Sequence, residues 1–252
     1  VIIVGDDPAS HVYVSNKVRS CGRLGIKSTH IELPADTEQD VVAQHILDLN
    51  QQDDLHGILI QSPLPKHMDE EMLTELIDPR KDVDGFHPVN LGRLVQGRSD
   101  GMVPCTPSGV MEMLSWANVD LTGKKAVVLG RSFNVGMPQA LLMAAKGADA
   151  TVTIVHSRTK DAQAECREAD VLIAVTEHDE INMIACQIAH TLFGTPKKMA
   201  RIRSNNYTEK KELFKPEAIP IDVLISPEQV VTEHICRLIA HPGALQILEF
   251  AN

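Results

Sequence analysis

The sequence predicts an α/β protein: a small N-terminal βαβ-type domain, then a Rossmann-like doubly wound parallel sheet. Three observations carry that expectation. Short β-branched runs alternate with longer helical patterns along nearly the whole chain, as βαβ units require. A stretch dense in Gly, Pro and Asp between Ile77 and Pro107 interrupts the alternation without a clear period, and reads as both a functional loop and a domain junction. Beyond it, Lys125–Pro138 runs as strand, glycine-bounded turn and helix. The expected division is residues 1–104 and 105–252.

The strands read off in order are Val1–Val4, Ser28–Leu33, Gly57–Gln61, Lys125–Leu129, Thr151–Val155, Val171–Val175, Met199–Arg203 and Ile221–Ile225. Each is short, and most are rich in branched side chains. The intervening helices are Ser10–Leu24, Glu38–Asn50, Asp69–Leu76, Pro107–Ala117, Pro138–Lys146, Asp179–Leu192 and Pro227–Leu238. Asp69 and Pro227 stand where helix-starting residues belong. Ligands of such folds lie beyond the carboxyl ends of the strands, so a cleft between the two domains is the expected site.

Bulk properties narrow the function. Apolar residues at 43% and charged at 23% exclude disordered and collagen-like classes. A net charge of -10 argues against a general nucleic-acid or anionic-membrane surface, though not against a local phosphate pocket. The five cysteines, Cys21, Cys105, Cys166, Cys186 and Cys236, form no CxxC pair. They suit a reducing compartment and offer no zinc spacing, so no metal is expected. No apolar run reaches the roughly 18 residues of a spanning helix, and the opening VIIVGDDP is a strand and turn, not a signal sequence. The start on a strand without Met suggests a missing N-terminal segment, and the cytoplasm is the expected location.

Several residues are of a type that carries chemistry. Tyr13 and Lys17 are four apart and share a helix face, so Lys17 either works as a base or proton shuttle or snorkels over a packed ring. Gln61 ends a buried-looking strand and offers a donor and an acceptor; the prolines of Ser62-Pro63-Leu64-Pro65 make a rigid turn there in any case. Asp82 and Asp84 are either paired carboxylates or turn formers. Gly130, Arg131, Ser132 and Gly136 lie between a strand and a helix whose free N–H groups and dipole favour phosphate. After the next strand comes His156-Ser157-Arg158 in place of the acid that would hold a ribose hydroxyl. Ser157 and Arg158 suit a 2′-phosphate, which favours NADP over NAD, or else they are plain loop residues.

Six blocks, VGDDPASHVYVSNK, GILIQSPLPKH, IDPRKDVDGFHPVNLGRL, PCTPSGVMEML, LTGKKAVVLGRSFNVGMPQALL and ATVTIVHSRTKD, occur in order. Over about residues 1–172 the chain thereby resembles the bifunctional methylenetetrahydrofolate dehydrogenase/cyclohydrolase family. The resemblance implies oxidation of 5,10-methylenetetrahydrofolate with NADP and hydrolysis of the methenyl product. It also implies a folate and catalytic domain in residues 1–104 and an NAD(P)-binding domain in 105–252. Lys17 is then the central catalytic residue, with Tyr13, Gln61 and Asp84 around the pterin. Gly130, Arg131, Ser132 and Gly136 hold the cofactor phosphates, and Ser157 with Arg158 the 2′-phosphate.

The family's Pro-Gly-Gly-rich C-terminal loop is missing from the text of the last third. Residues 169–252 are instead similar to the nucleotide-binding, regulator-of-conductance domain of potassium-uptake regulatory subunits. That second resemblance implies that, of the basic cluster Lys197, Lys198, Arg201 and Arg203, the arginines lie near nucleotide phosphates; a solvated strand edge is the plain alternative. The two texts meet in READVLIAV, so the sequence predicts either an engineered hybrid joined near residue 172 or a divergent natural member, with its folate chemistry intact or impaired. The alternatives are a nucleotide-binding regulatory or scaffold module, or a fold-design chimera without turnover. A homodimer formed through the Pro227–Asn252 helices is expected.

Overall fold

The computed structural model describes residues 1–225 apart from Glu177 and Pro216. They divide into two compact units, the first Val1–Leu91 and the second from Gly92 onward. The helix expected at Pro227–Leu238 and the apolar residues beyond it lie outside the described residues.

In the first unit, β1 (Ile2–Val4) and β2 (Ile31–Leu33) pair in parallel from Ile2 with Ile31 to Val4 with Leu33. The crossover between them is α1 (Pro8–Arg23). Asp7 starts this helix by accepting the Ser10 N–H at 2.8 Å, and Pro8 supplies a helix-ready φ at its first position. Gly25, at φ +71, ends it in a conformation that other residues rarely adopt. Helices α2 (Gln39–Asn50) and α3 (Glu70–Glu75) cover the strands, and Ile2, Val42, Ile46 and Leu73 close the core with no solvent exposure.

The third strand expected at Gly57–Gln61 is reduced to two isolated parallel bridges, Ile2 with Ile60 and Ile58 with Asp82. Close approach at its start explains why Gly57 is glycine: a Cβ there would fall 2.4 Å from Val83 Cγ1. The stretch read as irregular between Ile77 and Pro107 contains a helix, α4 (Pro88–Val95).

The second unit opens on α5 (Cys105–Trp116). Its sheet is β3 (Lys125–Leu129), β4 (Thr151–Val155), β5 (Val171–Ala174), β6 (Lys197–Arg201) and β7 (Val223–Ile225), all parallel, in the order β4-β3-β5-β6-β7. One face packs on α5 and α6 (Gly136–Ala144) through Val110, Leu114 and Met143. The other packs on α7 (Ala162–Arg167) and α8 (Asp179–Ile188) through Cys166, Met183 and Cys186. Strand β5 is buried at all four positions, as a central parallel strand covered on both faces must be. Past α8 the chain makes a π-helical turn, Ala189–Phe193, and stops at Gly194 with φ +63.

The hybrid predicted from the sequence needs correction here. No boundary of packing falls at residue 172. Val128, Val171, Ile173 and Met199 share one core, and Val127, Leu172, Cys186 and Ala200 share the other, so text on both sides of the expected junction builds the same two layers. The basic cluster is also not a common phosphate face. Lys198 is only 4% exposed, donates to Thr195 O at 3.0 Å and pairs with Asp222 at 3.0 Å. No helix among the described residues is long and apolar enough to cross a membrane.

Candidate active site

Helix α1 carries Tyr13 and Lys17 one turn apart, and the Lys17 ammonium lies 4.8 Å from the centre of the Tyr13 ring. Lys17 is half-buried, and Tyr13 is exposed. The pairing leaves the charge over the aromatic face with its stem along the helix.

Of the two aspartates in KDVDGFHP, the structure separates the roles. Asp82 is 2% exposed and is saturated by donors: the N–H groups of Gly85 at 3.0 Å and His87 at 2.9 Å, and Asn90 Nδ2 at 2.9 Å. It is the turn former. Asp84 lines a small recess together with Asp82, Ile60, Ser62, Glu70 and Phe86. Burial pushes its carboxyl above the usual carboxylate range; the Lys17 charge pulls it back, and the neighbouring Asp82 raises it further. The structure thus brings Lys17 and Asp84 into one electrostatic field.

Gln61 follows the bridged segment, held by its own N–H to Ile2 O at 2.8 Å. Its side-chain Nε2 donates to Ser62 O at 2.7 Å, while Oε1 is buried with no partner among the described residues. A buried acceptor without a donor costs about 1–3 kcal/mol, which a ligand N–H would recover. Ser62 Oγ in turn donates to Glu70.

In the second unit the turn after β3 approaches its own helix closely. A Cβ on Gly136 would lie 2.4 Å from Gly130 O, and Gly130 itself sits at φ +115. Both glycines are therefore demanded by the backbone. The expectation of bare amides at the start of α6 needs amending: Gly136 N–H donates to Ser132 Oγ at 3.3 Å and Met137 N–H to Ser132 O at 2.9 Å. Arg131 and Ser132 are exposed above this turn. The turn after β4 lies alongside, since Gly130 N–H donates to Val155 O at 2.8 Å. There His156 Nδ1 accepts the Arg158 N–H at 3.2 Å, which shapes the turn and leaves Ser157 and Arg158 exposed. Among the described residues no cluster of His, Cys, Asp and Glu could hold a metal ion.

Sequence reasoning missed Asn90 and Glu70 as supports of the site. The pattern Asp-x-x-Gly at Asp82–Gly85 signals a carboxylate-capped turn, but nothing local reports that Asn90 reaches back to it.

A parallel doubly wound sheet with a glycine turn after β3 and a basic turn beside it, joined to a unit bearing a Lys–Tyr–Asp constellation, defines a dinucleotide-dependent class of α/β protein. The tetrahydrofolate dehydrogenase/cyclohydrolase catalytic-domain model matches residues 1–84, and the NAD(P)-binding-domain model of that family matches residues 104–185. The bifunctional protein FolD of Oleidesulfovibrio alaskensis is 55% identical over 174 residues, 68% of this chain. The match spans 60% of that relative's length. The FolD structure from Campylobacter jejuni covers 95% of this chain, and 84% of its own chain is covered, at 34% identity and a TM-score of 0.74. The Trypanosoma brucei enzyme, described as complexed with NADP cofactor and an inhibitor, is 39% identical over 68% of this chain and 58% of its own, with a TM-score of 0.64. The chain belongs to the tetrahydrofolate dehydrogenase/cyclohydrolase family. A single family fold covering 95% of the chain overturns the reading of two joined families and of a potassium-regulatory C-terminal part.

Proposed function

We propose that the protein oxidises 5,10-methylenetetrahydrofolate with NADP and hydrolyses the resulting methenyl compound to 10-formyltetrahydrofolate. The observation that carries this reading is the Lys17 amine, stacked over Tyr13 and electrostatically coupled to the half-buried Asp84. Residues 1–104 would hold the folate, with Gln61 Oε1 and Asp84 accepting N–H groups of the pterin. Residues 105–252 would hold the cofactor, with Arg131, Ser132 and the glycine-lined turn on its phosphates and Ser157 with Arg158 on the 2′-phosphate.

When bound, the nicotinamide supplies the hydride acceptor. The task of the chain is positioning, which in well-aligned systems is worth about 7–11 kcal/mol. In the hydrolytic half, water adds to the methenyl carbon. The cationic substrate disfavours an ammonium beside it, so a neutral Lys17 amine takes the proton that the water releases. Collapse of the resulting carbinolamine breaks the carbon–N5 bond and leaves the formyl group on N10. Of the two protons of the water, one goes to N5 and one is released to solvent, and the Tyr13 hydroxyl, on the same helix face, can relay them.

The reducing-compartment cysteine pattern fits a cytoplasmic enzyme, and a homodimer is part of the proposal. The test is one spectrophotometric assay of methylenetetrahydrofolate oxidation with NADP and, for comparison, NAD. NADP-dependent formation of the methenyl absorbance is expected; its absence, with the cofactor bound, would overturn the reading.

A further inference from the structure

Ile58, Ile60 and Ser62 line the Asp84 recess in alternation, and Gln61, between the last two, does not. The two sides of this segment are nonetheless joined at Ser62. On the recess side its Oγ donates to Glu70, the first residue of α3. Its carbonyl accepts Gln61 Nε2 at 2.7 Å and the hydroxyl of buried Ser10, on α1, at 3.4 Å. Glu70 is a firm anchor. Leu73, three residues on, has no solvent exposure, Asp69 caps the helix through the Met72 N–H at 3.0 Å, and Thr74 Oγ1 donates to Glu70 O at 2.8 Å. A hydroxyl that donates to a carboxylate makes a charge-assisted bond, roughly twice as strong as a neutral one.

The two ends of a primary amide are nearly equal in size and opposite in hydrogen-bonding sense. Which end meets a ligand is therefore decided by what holds the other end. In Gln61 the donor end is held by Ser62 O, and the acceptor Oε1 is left buried with no partner among the described residues. We propose that Glu70 is a positioning residue that acts through Ser62. Its carboxylate locks the Ser62 side chain and, with it, the carbonyl that keeps the Gln61 amide turned acceptor-outward to the ligand. The inference rests on the reading of Gln61 as a folate contact and deepens it: a site set in this way selects a ligand N–H over a ligand carbonyl. Glu70 reaches the amide through Ser62, because its carboxylate lies on the recess side of the segment and Gln61 does not line that recess. Without the contact, the Ser62 hydroxyl and carbonyl lose one of their two anchors, and the amide is free to present either end.

Ser62→Ala and Glu70→Ala delete the link from its two sides. Each should raise KM for methylenetetrahydrofolate about tenfold, with a smaller change in kcat. The double variant should be no worse than either single one, because all three lack the same contact. Glu70→Gln keeps an acceptor oxygen and should restore most of the affinity. Proton–nitrogen NMR spectra of the full chain read the amide itself. The Gln61 side-chain signals, assigned as the pair missing from Gln61→Leu, should shift in Glu70→Ala and return in Glu70→Gln. These spectra need no folate, so they separate this inference from the functional reading: a wild type without turnover would sink that reading, while the shift would still support the positioning role. Ser62 is exposed, so Ser62→Ala carries the test should Glu70→Ala unsettle α3. Losses that multiply in the double variant, or Gln61 amide signals unmoved by both Ser62→Ala and Glu70→Ala, would overturn the proposal.

Discussion

Asn90 donates its side-chain amide to Asp82 across 2.9 Å, with both residues almost fully buried. The same amide group donates to Pro79 O at 2.8 Å, so one side chain ties the start of the KDVDGFHP turn to the helix that follows it. The proposed ligand-facing carboxylate, Asp84, hangs between these two anchors. Replacing Asn90 by Leu keeps the volume but leaves a buried carboxylate short of one donor. The expected cost is about 2–3 kcal/mol, read by urea denaturation. Turnover should fall with it, because Asp84 loses its fixed position.

Lys17→Met removes the proposed proton shuttle while keeping an unbranched stem over Tyr13. Hydrolysis of the methenyl compound is expected to drop by about 10²–10⁴-fold, with the circular dichroism spectrum intact. Rates within a factor of a few of the wild type would remove Lys17 from the mechanism.

The raised pKa of Asp84 has a consequence for stability. An acid whose folded pKa lies above its unfolded value holds its proton longer in the folded chain, so its ionisation opposes folding. That loss begins as pH rises past the ordinary aspartate value of 3.8 and is complete above the raised folded value. Asp84→Asn should therefore equal the wild type in strong acid and exceed it in stability near neutral pH, while losing activity. Denaturation curves at the two pH values check the sign. A variant less stable at neutral pH would mean that the Lys17 attraction outweighs burial.

Gly136→Ala should damage the cofactor turn more than its single methyl suggests. The new Cβ would meet Gly130 O at 2.4 Å and Arg131 Cα at 2.9 Å, both backbone atoms that cannot rotate away. Overpacking of this kind costs about 1–3 kcal/mol, and NADP affinity should fall at least about tenfold as the turn opens. Calorimetric titration reads both.

Much of this was legible in the residues. Strands β3 and β4 fall where the branched runs Lys125–Leu129 and Thr151–Val155 place them, because buried parallel strands write themselves as continuous apolar text. Strand β6 begins two residues before the expected Met199, since Lys197 and Lys198 look like loop, and it takes the tertiary partner Asp222 together with Thr195 O to make a buried Lys198 tolerable. Helix α4 was hidden by the Gly, Pro and Asp around it. The site residues were suggested by type and spacing, but the split between Asp82 and Asp84 was not, for it depends on which carboxylate finds the amides of Gly85 and His87. The similarity of the last third to another family misled because a Rossmann sheet of either family needs the same apolar β5.

The proposed reading of the 2′ position rests on the turn after β4. An acid at that place would repel a 2′-phosphate and hold a hydroxyl; here His156 Nδ1 pins the Arg158 N–H and the exposed Ser157 and Arg158 side chains supply a hydroxyl and a guanidinium. A guanidinium reads phosphate by two parallel N–H donors, and such a charge-assisted contact is worth on the order of 1.5–3 kcal/mol. NADP should therefore bind more tightly than NAD, and Arg158→Ala should weaken NADP roughly tenfold or more while scarcely touching NAD. Because the contact is exposed, salt should narrow the gap in the wild type and have little left to narrow in the variant. Isothermal titration at low and high ionic strength separates these outcomes. Equal affinities for NAD and NADP in the wild type would show that the basic turn does not read the 2′ position.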